Sequence, residues 1–134
     1  MKISGRMSTF GGPNDMGVGP HEGLALVNRS NFHLVEKYFL PYQPPGTTGL
    51  ARRLNPQTHY IACRWDYGNA PKDYLIKTWV EVGNPNNGRS AQAKPVDWGP
   101  AEHTGRVADL SPGLAAFLGL ETDDICTVEI PVIT

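Results

Sequence analysis

Long apolar runs, a basic surplus and clustered metal-ligand residues are all missing from this chain of 134 residues. Without an apolar run of roughly 20 residues, no membrane-spanning helix is expected. Lys and Arg number 12 against 13 Asp and Glu, a formal charge of −1. Nothing in that balance suits nucleic acid or an anionic membrane. The 2 cysteines, Cys63 and Cys126, have no CxxC spacing, and the 4 histidines form neither HxH nor HExxH. No metal and no cofactor is therefore expected. Each cysteine sits within an apolar run that reads as a strand, so buried free thiols are expected, with a disulfide across the fold as the alternative. The glycine-rich stretch at residues 11–20 has no P-loop lysine and reads as a turn. Residues 1–5 lack the apolar core of a secretory signal, so no such signal is visible.

What the chain does have is 15 glycines and 12 prolines, a composition of many turns and short strands. Its length suits one domain over residues 1–134. Strands are expected at residues 7–10, 60–65, 75–82, 90–96 and 125–130. Within 75–82, Ile76, Thr78, Val80 and Val82 share one face, and Lys77, Trp79 and Glu81 share the other. Asn84, Pro85, Asn86, Asn87 and Gly88 form a hairpin loop. In the last strand, Cys126, Val128 and Ile130 share a face. Residues 13–58 are irregular. A helix is expected from Asn31, where Leu34, Val35, Tyr38 and Phe39 recur at helical spacing. Residues 40–49 are loop, either a surface connection or the wall of a groove with Tyr42 as a face for a sugar. The whole is mainly β with one or two short helices, as in a small closed barrel.

Two acids stand out between Lys94 and Leu118. Asp97 ends the run 90–96, and Trp98-Gly99-Pro100 turns the chain after it. Asp109 lies just ahead of a short helix with Ser111 as N-cap, Pro112 at the first position and Gly119 as the stop. Leu114, Phe117 and Leu118 make its apolar face. The positive end of that helix favours an ionised Asp109. Cleaving a glycosidic bond needs one carboxylic acid to protonate the leaving oxygen and usually a second carboxylate. Asp97, among Pro95, Val96 and Trp98, has the apolar neighbours that keep a carboxyl protonated. The bland alternative is that Asp97 bonds turn amides and Asp109 holds the loop by pairing with Arg106. Trp65, Tyr67, Trp79 and Trp98 are available to stack on sugar rings. Trp98, beside Asp97, is the first choice, and Trp79 the second by its strand parity. His103, in an exposed turn, is a candidate polar groove residue.

These residues carry a resemblance. Val96-Asp97-Trp98-Gly99-Pro100 and Gly105-Arg106-Val107-Ala108-Asp109-Leu110-Ser111 resemble signatures of the rare lipoprotein A family of double-psi β-barrel lytic transglycosylases. The chain is also similar to the first domain of expansins. The hairpin at 80–90 and the opening Ser8-Thr9-Phe10-Gly11 match too, so the resemblance covers roughly residues 75–131 and the N-terminal strand. Residues 13–58 read as a loop or helix insertion. The resemblance implies a six-stranded double-psi β-barrel that cleaves peptidoglycan glycan strands with Asp97 as general acid/base. There the substrate's own 6-hydroxyl attacks and a 1,6-anhydro sugar forms. It implies that Asp109 matches the critical aspartate of expansins, and that Thr9 lies near the acid. The family's second acid has no counterpart in Thr48-Gly49-Leu50-Ala51-Arg52; Glu22 or Asp15 is the candidate to replace it. Trp98 stands where the family has arginine. The alternatives are a non-catalytic expansin-like module that binds or loosens polysaccharide, and a barrel kept for protein contacts. A monomer is expected, working at the cell envelope or outside the cell by an export route not visible here, with a cytoplasmic location as the alternative.

Overall fold

In a computed structural model that describes residues 1–131, six strands close into a barrel. They are β1 (Lys2–Thr9), β2 (Tyr60–Cys63), β3 (Val80–Gly83), β4 (Ser90–Trp98), β5 (Ala108–Leu110) and β6 (Ile125–Glu129). Short helices α1 (Leu50–Arg53), α2 (Lys72–Leu75) and α3 (Pro112–Leu118) lie in the connections. The order around the barrel is β1-β5-β2-β4-β3-β6. The pairs β1–β5 and β2–β4 run parallel and the others antiparallel. Among the described residues closure leaves no open sheet edge to protect. Alternation along the strands fills the interior with Met7, Ile61, Cys63, Val80, Val82, Val96, Ala108, Leu110, Cys126 and Val128, all fully buried. Both cysteines are free thiols, and burial pushes Cys63 up to about 12 and Cys126 up to about 11. Among the described residues no helix is long and apolar enough to cross a membrane.

Residues 13–58 contribute no strand, yet Val18, Leu24, Leu26, Val35, Tyr38, Phe39, Ala51 and Leu54 from this segment join the same core. The helix expected from Asn31 is instead two single 3₁₀ turns, Phe32–Leu34 and Glu36–Tyr38. Asn31 is occupied elsewhere: its amide group donates to the Leu26 carbonyl at 2.8 Å, and its oxygen accepts the Asn28 N–H at 2.8 Å. It therefore caps nothing, and Val35 breaks the run at φ −127°.

The strand expected over 75–82 is also shorter. Residues 72–75 coil into α2, turns carry the chain on through Thr78, and only β3 is extended. The carbonyls of Ile76 and Thr78, lost to strand pairing, are taken by the Lys94 ammonium at 2.9 and 2.8 Å. The hairpin β3–β4 turns through Gly88 at φ +76°.

Helix α3 follows its sequence signals. The Ser111 hydroxyl accepts the Leu114 N–H at 3.1 Å, and Gly119 closes the helix at φ +72°. Phe117 is the exception to the expected apolar face: it is half exposed and lies against the His59 ring. Ser111 is fully buried, so Ser111→Ala is expected to cost about 1–2 kcal/mol in urea denaturation. A loss within experimental error would remove the cap from the account.

Candidate functional site

The site is built by register. Ala62 on β2 lies opposite Asp97 of β4 on one side and opposite Asp109 of β5 on the other. Ser8 of β1 extends the row beyond Asp109. In-register partners project from the same face of a sheet, and Ser8, Asp109, Ala62 and Asp97 all line one cleft of about 400 Å³. Neighbouring strands are about 4.8 Å apart, so the two aspartate backbones stand about 10 Å apart. Only a methyl group rises between them.

This register depends on a bulge. Ile61 pairs with Pro95 but Ala62 pairs with Asp97, so Val96 is the extra residue. Val96 is fully buried, and Asp97 is turned out onto the cleft; bulges commonly re-aim a side chain in this way. The Val96 carbonyl, out of register, accepts the Leu26 N–H at 3.2 Å. Asp97 therefore lies within β4 rather than after it, and the chain turns beyond Trp98, at Gly99-Pro100.

The two carboxyls differ in their surroundings. Asp97 Oδ1 accepts the Ala25 N–H at 2.8 Å and the Trp98 N–H at 2.9 Å. Its pKa is raised overall: burial is the largest cause, the two amides oppose it, and the Glu22 charge adds to the rise. No donor reaches Asp109 among the described residues, and burial pushes it up to about 6, with Arg106 opposing and the Asp97 and Asp15 charges adding to the rise. The expectation that α3 favours the ionised form of Asp109 is thus overturned in direction. Ser111 occupies the cap, and Asp109 sits back on β5, where desolvation dominates. Nor does Arg106 pair with Asp109. Its guanidinium donates to both oxygens of Asp123, at 2.8 and 3.2 Å.

Thr9, Trp98, Glu22 and Asp15 line the same cleft as the two aspartates. Glu22 arrives there through a close backbone approach. The Ala51 N–H donates to the Glu22 carbonyl at 3.1 Å, and a Cβ on Gly49 would lie 2.2 Å from that oxygen. The segment 48–52, which has no acid of its own, is thereby packed against one. Trp98 is 43 % exposed and anchored by its indole N–H on the Trp65 carbonyl at 3.0 Å. Trp65 is buried, and its own indole N–H holds the Asp97 carbonyl at 2.7 Å. Two candidates lie elsewhere. His103 is exposed on the turn Glu102–Thr104, and its neighbours Ala101 and Thr104 line the cleft instead. Trp79 precedes β3, outside the strand whose parity was to set its face; it is partly exposed, Lys94 Nζ lies over its ring at 3.7 Å, and it takes no part in the cleft. Ser8 and Ala62 went unnoticed in the sequence, since only register brings them beside the acids. The sequence matches no protein-family model and no curated protein.

Proposed function

We propose that this protein cleaves the glycan strands of peptidoglycan in the carboxylate cleft, in the manner of lytic transglycosylases, and that its barrel is of the double-psi type. The observation that carries the reading is the row Asp109–Ala62–Asp97, two acids facing one open cleft across a single strand. Two parallel pairings inside a closed six-stranded barrel support the fold assignment.

Asp109, which meets no donor among the described residues and is raised to about 6, carries below that pH the proton that the departing glycosidic oxygen needs. Asp97 Oδ1 accepts two amide donors, which leaves Oδ2 to accept the proton of the attacking hydroxyl. The C1–O bond to the leaving sugar breaks as the bond from O6 to C1 forms. One proton passes from Asp109 to the leaving oxygen and one from O6 to Asp97, and solvent restores both groups. Trp98 offers its exposed face to a sugar ring.

A second reading, a non-catalytic expansin-like module, draws on the grip of Asp97 on Ala25 and Trp98, a task that requires no chemistry. Mass spectrometry of the soluble products from purified peptidoglycan separates the two. Anhydro-muropeptides are expected; hydrated muropeptides would replace the 6-hydroxyl by water. Sedimentation with sacculi that is weakened by Trp98→Ala, with no new ends, would establish the binding module. On either reading the substrate lies at the cell envelope or outside the cell.

A further inference from the structure

A second cavity of about 350 Å³ adjoins the carboxylate cleft, and Thr9, Phe10 and Asp15 line both. Its other walls are Gly11, Gly12, Pro13, Asn14, Pro56 and Pro112. We propose that this cavity is a subsite for the next pyranose rings of the same glycan chain, an inference that rests on the glycan reading above. The chain would then lie across both cavities, with Thr9 and Asp15 at the seam.

The walls suit that occupant. Three pyrrolidine rings supply apolar surfaces for the CH faces of a pyranose, with Phe10, packed against Tyr60, beneath them, while Thr9, Asn14 and Asp15 supply polar atoms for its hydroxyls. No lysine or arginine lines the cavity, which disfavours a phosphate or uronate and favours a neutral sugar. The cavity is also preformed. Asp15 accepts the Gly11 N–H at 2.7 Å on one oxygen and the Gly17 N–H at 2.8 Å on the other. The Gly12 N–H donates to the Ala51 carbonyl at 2.9 Å, and the Gly113 N–H donates to the Pro56 carbonyl at 2.7 Å. Gly11 and Gly12 hold φ of +88° and +100°, a region that favours glycine. A Cβ on Gly12 would come within 3.2 Å of the Pro56 ring, so the bare backbone keeps this wall open.

Binding of β-1,4-linked N-acetylglucosamine oligomers, from disaccharide to hexasaccharide, tests the subsite by calorimetry and amide NMR. Affinity is expected to climb by about tenfold between trisaccharide and hexasaccharide. The Gly12 and Asn14 amides are expected to shift with the hexasaccharide but not with the trisaccharide. Pro112→Ala, which removes a wall at a helix position that tolerates the change, should return the hexasaccharide to the affinity of the trisaccharide. The trisaccharide's own affinity should not change. A flat length dependence with those amides unmoved, while Ala62 and Asp97 respond, would overturn the subsite and leave the glycan reading standing. No binding at any length, with no amide moved, would overturn both.

Discussion

Asp97→Asn is expected to lower glycan cleavage by roughly 10²- to 10⁴-fold, the usual range for losing a general acid or base, with the melting temperature nearly unchanged. The asparagine oxygen can still accept from Ala25 and Trp98, so the isostere keeps the latch and loses only the basic oxygen. Asp97→Ala removes both bonds and should unfold earlier, because two donors are left without their acceptor. Asp109→Asn should remove activity to a similar extent and behave differently in stability. Its folded pKa of about 6 lies above the ordinary 3.8, so the folded protein holds its proton more tightly than the unfolded chain does. The stability this lends is complete below pH 3.8 and is lost as pH rises to about 6. At neutral pH the wild type therefore carries a buried charge that costs about 2–3 kcal/mol. Asp109→Asn should then be more stable than wild type by roughly that amount at pH 7.5, an advantage that disappears near pH 4. Denaturant titrations at the two pH values, beside product assays, check this. Full activity in either Asn variant would remove that residue from the chemistry.

The parts of this site that rest on neighbours in sequence were legible there. The cap, proline and stop of α3 occupy adjacent positions, and each performs the expected local task. The hairpin through Gly88 and the inward face of β6 follow equally from short-range pattern. What escaped the sequence is set by pairing. Val96 looks like any strand residue until its partner strand shows that it is the extra one, and without that bulge Asp97 has no reason to face the cleft. The partnership of Glu22 with residues 49–51 joins distant segments through backbone contacts that leave no side-chain signature apart from Gly49. Trp79 shows the limit of parity. Alternation assumed a strand that begins only at Val80, and it carried no information on what would cover the ring. Asp109 shows the same limit for charge: proximity to a helix start suggested an ionised acid, and burial, visible only in the fold, reversed the direction.

Lys94→Met is expected to lower stability by about 3 kcal/mol at pH 7, or roughly 10 °C in melting temperature for a domain of this size. Lys94 is almost wholly buried on β4 and has no carboxylate partner among the described residues. Its ammonium instead satisfies the Ile76 and Thr78 carbonyls and faces the Trp79 ring, and the Trp79 indole N–H reaches the Tyr38 hydroxyl at 2.9 Å. One amine thus joins β4, the turn before β3 and the 13–58 segment. Methionine fills similar space and relieves the cost of burying a charge, which alone would favour the variant. Against this, both carbonyls lose their donor and Trp79 loses its cation, at about 1–3 kcal/mol for each stranded group; the losses exceed the relief. The pH dependence separates the two effects. Burial, helped by the nearby Lys37 charge, lowers the Lys94 pKa from 10.5 to about 8. Between those values the unfolded chain binds more protons than the folded one, so wild-type stability gains with rising pH from this residue. The neutral amine still donates to both carbonyls. The stability difference between wild type and Lys94→Met should therefore widen from pH 7.5 to pH 10, and subtraction cancels the thiols and tyrosines common to both proteins. A difference that stays constant would mean that Lys94 titrates alike folded and unfolded. A variant as stable as wild type at pH 7 would mean that packing, and not the ammonium, holds these three segments together.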